Sequence, residues 1–97
     1  MKATPKSDFP RALRTLRKVR DLSQEDFDKV SGRTYISALE RGVKDPTLGK
    51  IEQLALVMNV HPLTLMTVAY ASGSTADLDR LLSEVRDQIG ELVFESG

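Results

Sequence analysis

The 97-residue chain has no cysteine and no tryptophan, one histidine, and only 5% aromatic residues. Without thiols it offers no disulfide framework, no thiolate metal site and no cysteine nucleophile, and it suits a reducing, cytoplasmic setting. The lone His61 precedes Pro62 at an expected helix start, with no second ligand type clustered beside it. A metal site needs convergent ligands, so capping or packing is the expected role of His61. No nucleophile-elbow pattern accompanies Ser37, so a Ser-His-acid triad is not expected. No apolar run approaches the ~18–20 residues of a membrane span. The polar start Met1–Lys6 is not followed by the apolar stretch of a secretion signal. The expectation is a small protein that is not an enzyme and carries no cofactor and no metal.

Net charge is also lacking, with 14 Lys+Arg against 14 Asp+Glu. That neutrality hides a segregation. Residues 1–50 hold 12 basic against 7 acidic residues, a balance of +5, and residues 51–97 hold 2 against 7, a balance of −5. Opposed halves point to two surfaces with different partners.

What is present is helical periodicity, and the expected fold class is all-α. Ser7 or Asp8 can cap a first helix with Pro10 in its first turn, ending near Asp21. Leu13, Leu16 and Val19 follow its apolar spacing, while Arg11, Arg14, Lys18 and Arg20 form either a solvated face or a phosphate-steering one. Ser23-Gln24-Glu25-Asp26 opens a short second helix that ends at Ser31-Gly32, where Gly32 is available for a tight turn. A third helix covers 33–41 and stops at Gly42. A fourth runs from Leu48 to about Met58, with Leu48, Ile51, Leu54, Ala55 and Met58 on one face and Asn59 as a left-handed stop. A fifth spans about 62–71 and buries Leu63, Leu65 or Met66, and Val68 or Ala69. After Ser72-Gly73-Ser74, Thr75 can cap a sixth helix over 76–94.

Two short helices about a glycine-containing turn suit a helix-turn-helix, whose second helix enters the DNA major groove. On the 33–41 helix, Arg33, Thr34, Ser37 and Ala38 are expected on the outward face as base-contacting residues. An Arg fork matches guanine O6/N7, Thr and Ser donate or accept, and Ala offers apolar contact only. Phosphate contacts are expected from Gln24, Lys44 and Thr47, with Arg41 and Lys50 as weaker candidates.

The chain here resembles the lambda-repressor-like (Cro/C1-type) helix-turn-helix regulators, from about Leu13 to Leu65. The residues that carry the likeness are Leu22-Ser23-Gln24-Glu25, Tyr35-Ile36-Ser37 with Leu39-Glu40-Arg41-Gly42, Asp45-Pro46-Thr47-Leu48, and Leu54-Ala55 with Val60-His61-Pro62. Each is weak alone; the ordered set is strong. The resemblance implies a five-helix domain that binds palindromic operators in double-stranded DNA as a dimer. It places base readers on Arg33, Thr34, Ser37 and Ala38, phosphate contacts on Gln24, Lys44 and Thr47, and a structural ion pair on Arg17 and Glu40. The turn before Arg33 is shorter than in most members, and the segment 73–97 has no counterpart in the minimal domain.

That segment carries an apolar stripe of Leu78, Leu81, Leu82, Val85, Ile89 and Leu92. It can fold back onto its own domain, meet a second copy, or dock on another protein; dimerisation is the favoured expectation. Its acidic outer face, Asp77, Asp79, Glu84, Asp87, Glu91 and Glu95, is expected to point away from DNA. The expected organisation is a flexible N-terminus at 1–7, a helix-turn-helix DNA-binding domain at 8–72, and a C-terminal dimerisation helix at 73–97. The function expected is a sequence-specific homodimeric repressor. Alternatives are an antitoxin, a restriction–modification or phage-type controller, or a protein-interaction adaptor that keeps the fold.

Overall fold

The computed structural model describes residues 6–71 and 73–94. Residues 1–5 of the expected flexible N-terminus lie outside these, as do Ser72 and Glu95. The described residues form five α-helices and no strand: α1 (Phe9–Val19), α2 (Arg33–Glu40), α3 (Leu48–Met58), α4 (Pro62–Tyr70) and α5 (Thr75–Ile89). A 3-10 turn, Gln24–Phe27, lies between α1 and α2, and a π-helical turn, Gly90–Phe94, follows α5.

The α-helix count is therefore one below the six expected, because the segment after Ser23 makes only this tight turn. A segment this short gains few α-helical hydrogen bonds against the cost of nucleation. Asp26 instead accepts from the Ser23 backbone N–H at 2.7 Å and from its hydroxyl at 3.1 Å. Phe27 then anchors the turn with a fully buried ring.

Helix boundaries follow local chemistry. The Asp8 carboxylate accepts from the Arg11 N–H and caps α1. Thr47 Oγ1 accepts from Lys50 N–H at 3.1 Å, and His61 Nδ1 accepts from Leu63 N–H at 3.0 Å, so His61 is the N-cap of α4. Ser74, not Thr75, caps α5 through its hydroxyl. Gly42 and Asn59 adopt left-handed stops, with φ of 76° and 57°. Gly32 does not need glycine's freedom: its φ is −71° and a Cβ there meets nothing within 4 Å.

One core joins α1, α2, α3, α4 and the 3-10 turn. Its fully buried members include Leu13, Phe27, Ile36, Leu39, Leu54, Met58 and Leu65. Val19, Leu48 and Leu63, expected inward, are exposed. Val19 is the last residue of α1, and Leu48 and Leu63 lie in the first turns of α3 and α4, where the helix has not yet reached the core.

The basic surface of α1 keeps Arg14, Lys18 and Arg20 exposed, yet its arginines also bond across helices, which residue spacing does not announce. Arg11 Nη2 donates to the Val68 carbonyl at 2.8 Å and the Ala71 carbonyl at 3.1 Å. Arg14 Nη1 donates to the Glu40 carbonyl, and Arg20 Nη2 to the Asn59 carbonyl at 3.2 Å. These oxygens lie at the C-terminal ends of α4, α2 and α3. Helix C-termini present carbonyls without intrahelical partners and a negative dipole end, so each guanidinium satisfies both demands. Three arginines expected on a solvated or phosphate-steering face thus tie helices together, and of the four only Lys18 has no such bond among the described contacts.

Removing such a bond leaves helix-end carbonyls without their donor. Arg11→Ala is expected to lower stability by about 1.5 kcal/mol, measured by thermal denaturation. The salt dependence of any DNA binding should stay unchanged. A reduced salt slope with an unchanged melting temperature would show Arg11 acting on phosphate instead.

Candidate nucleic-acid interface

The candidate recognition helix is held from behind. Glu40, the last residue of α2, is 4% exposed, and it is the buried charged side chain of the described core. Arg17 of α1 meets it with two prongs, Nε to Oε2 at 2.6 Å and Nη2 to Oε1 at 3.0 Å. The third guanidinium nitrogen donates to the Leu22 carbonyl at 2.9 Å. Gln24 Nε2 adds a 3.2 Å bond to Glu40 Oε1. No buried side-chain nitrogen or oxygen among the described residues lacks a partner. The hydrogen bond to Glu40 is the largest effect on Arg17, ahead of an opposing effect from burial and a further charge attraction. Its pKa is raised above the ordinary guanidinium value. The Arg17 guanidinium is therefore charged at any pH where the fold exists.

With its rear fixed, α2 presents Thr34 and Arg33 outward, with Ser37 half-buried beside them. The exposed Arg33 pairs with exposed Glu25 of the 3-10 turn. Arg41 follows the helix, exposed, with Nε donating to the Ser37 carbonyl at 3.2 Å. Ala38 corrects the expected outward face: it is 5% exposed, because the turn after α2 folds back over it. Its carbonyl accepts from Val43 N–H at 2.9 Å and Lys44 N–H at 3.4 Å.

The rim has a feature that residue type alone did not announce. Two ammonium groups approach the half-buried Tyr35 ring, Lys44 at 5.7 Å and Lys50 at 5.5 Å from its centre. Both distances are in cation–π range. Lys50 is further committed, donating to the Val30 carbonyl at 2.6 Å, which takes it off the candidate phosphate surface. Lys44 stays exposed, positioned by the ring. Thr47 is exposed while serving as the cap of α3. An aromatic residue flanked by lysines across a turn was the available signal, but spacing alone does not bring Lys44 and Lys50 to one ring.

The C-terminal stripe lies apart from this surface. Leu78 and Leu81 are half-buried near α4, while Leu82, Val85, Ile89 and Leu92 are exposed, as are Val93 and Phe94. No residue of α5 is buried. Folding back onto its own domain, one of the three alternatives, would have covered this face, and Leu82, Val85, Ile89 and Leu92 are uncovered. No helix among the described residues is long and apolar enough to cross a membrane.

A helix-turn-helix family model matches residues 13–65, more than half of the chain. The match begins in α1, takes in the 3-10 turn, α2 and α3, and ends within α4. No curated protein and no solved structure matches the chain.

Because the Glu40 carboxylate is the hub of the bonds behind α2, its loss strands the part-buried Arg17 guanidinium. Glu40→Ala is expected to destabilise the protein by about 3 kcal/mol, read as a lower midpoint in a circular-dichroism melt. An unchanged melt would mean that α2 is held by its apolar contacts alone.

Proposed function

The chain belongs to the Cro/C1-type helix-turn-helix family of DNA-binding transcription regulators, and from that premise we propose that it is a cytoplasmic repressor that grips a palindromic operator as a homodimer. The observation that carries this reading is the α2 surface: short and forked polar side chains, Thr34, Ser37 and Arg33, on a helix whose rear is locked by Arg17 and Glu40. Short side chains let a helix approach base edges closely. Thr34 and Ser37 supply donors and acceptors, and Arg33 the two-pronged fork for guanine. Arg33 leaves Glu25 to do so, a modest loss because exposed ion pairs contribute little. Ala38 has no part in readout, given its burial.

Lys44 is the leading phosphate contact, with Arg41 and the Thr47 end of α3 beside it. Gln24 serves the Glu40 carboxylate first and keeps one amide hydrogen for the rim. Dimerisation is assigned to Leu78, Leu81, Leu82, Val85, Ile89 and Leu92, and its support is the uncovered apolar face of α5. A dimer presents two copies of α2 to half-sites about one DNA turn apart. Repression follows when the bound dimer excludes polymerase from an overlapping promoter. The same uncovered face suits a protein-docking adaptor that has kept the fold.

A gel-shift salt titration on sites selected from a random DNA pool separates the two readings. A regulator should give a steep log–log slope, about −0.9 per phosphate neutralised. Flat, weak binding to every duplex would favour the adaptor. Ser37→Ala should alter the selected-site profile, whereas Lys44→Ala should weaken all sequences alike and reduce the slope by about 1. An unaltered profile for Ser37→Ala would move readout off this face.

A further inference from the structure

We infer that α5 pairs antiparallel with the α5 of a second copy, in the register that sets Leu82 against the partner's Val85 and Asp79 against the partner's Arg86. This inference rests on the homodimer reading above and adds orientation and register to it.

The spacing of the stripe comes first. Leu78, Leu82, Val85, Ile89 and Leu92 alternate steps of four and three residues, the seam of a two-stranded helical pair. Leu82, Val85 and Ile89 are its exposed centre, and they line a shallow hollow with Arg86, Gly90 and Phe94. The α-helical part ends at Ile89, and the π-helical turn beyond it breaks the seam's geometry. A register that completes its layers between Leu78 and Ile89 therefore avoids the break. The antiparallel arrangement centred between Leu82 and Val85 does so: Leu78 meets the partner's Ile89, Leu82 the partner's Val85, and the two-fold axis repeats both layers.

Charge then selects among arrangements. Flanking the seam on one side are Asp79 and Arg86, both exposed. Asp79 makes no ion pair among the described residues, and Arg86 has only a 3.9 Å approach to its neighbour Asp87. In the central antiparallel register these two positions face each other, giving two attractive pairs by symmetry. Sliding by one repeat toward the N-terminus sets Asp79 against the partner's Asp79. Sliding the other way sets Arg86 against the partner's Arg86 and draws the π-helical turn into the seam. A parallel pair sets Arg86 beside the partner's Leu81 and Asp79 beside the partner's Ser74, with no ion pair. Only the central antiparallel register satisfies both flanking charges.

The test uses the full chain in sedimentation and in thiol crosslinking, for which the absence of native cysteine is convenient. Asp79→Arg alone faces arginine with arginine, and Arg86→Asp alone faces aspartate with aspartate. Each should dissociate about tenfold more readily than the native dimer. Mixed together, the two variants regain attractive pairs on both sides and should form a heterodimer of native strength. A short two-armed maleimide should link Leu78→Cys chains to Ile89→Cys chains, but not Leu78→Cys chains to one another. Self-linking of Leu78→Cys chains, or single variants as dimeric as the native chain, would overturn the antiparallel register and leave the homodimer standing. A native chain that stays monomeric at all concentrations would overturn both.

Discussion

The structure turns on one buried carboxylate. Glu40 sits at the end of α2 with almost no exposure, and a carboxylate there is tolerable only if its charge is met and its lone pairs are filled. Arg17 supplies the charge and two bonds, and Gln24 a third. Because Arg17 also bonds the Leu22 carbonyl, the same side chain fixes where the chain enters the 3-10 turn. A buried pair of this sort contributes less to net stability than well-fitted apolar residues can. What it does here is geometric: two directed bonds from Arg17 and one from Gln24 fix where the end of α2 meets α1 and the 3-10 turn.

That constraint explains the charge distribution better than a surface field does. The N-terminal half carries the balance of +5, yet Arg11, Arg14, Arg17 and Arg20 all have intramolecular partners. Their charge still adds to the long-range potential, but each commits at least one donor inside the fold. The phosphate contacts proposed above therefore fall to exposed cations around the end of α2, Lys44 and Arg41, the latter committing only its Nε to the Ser37 carbonyl. A neutral protein can thus possess a strongly biased face without a broad basic patch. The bias comes from which cations keep donors free of backbone carbonyls, so residue counts alone overstate the surface.

Much of the fold was legible because local rules and burial agreed. Proline at helix starts, left-handed Gly42 and Asn59, and the apolar spacing of α3 and α4 beyond their first turns all point the same way in sequence and in structure. The failures share a cause. The segment at Gln24 has helix-opening residues, but its length permits only a 3-10 turn once Phe27 is buried. Ala38 has outward helical phase, yet the returning turn at Val43 covers it. The arginines of α1 are amphipathic by pattern, but their acceptors are backbone carbonyls distant in sequence, which no side-chain pattern encodes. Tyr35 and its two lysines are of the same kind.

One element connects the two ends of the molecule. Through Arg14 and Arg17, α1 holds the end of α2. Through Arg11 it holds the Val68 and Ala71 carbonyls, the last turn of α4 before α5 departs. α5 itself touches the rest of the described structure chiefly through α4, and none of its residues is buried. The direction in which α5 leaves is therefore set at its root. A two-fold pair of recognition helices needs a constant separation to match two half-sites. In the proposed homodimer that separation is transmitted along α1, with the Arg11 guanidinium at the root of α5 and those of Arg14 and Arg17 behind α2. A slack Arg11 contact would leave both ends folded and still blur the distance between them.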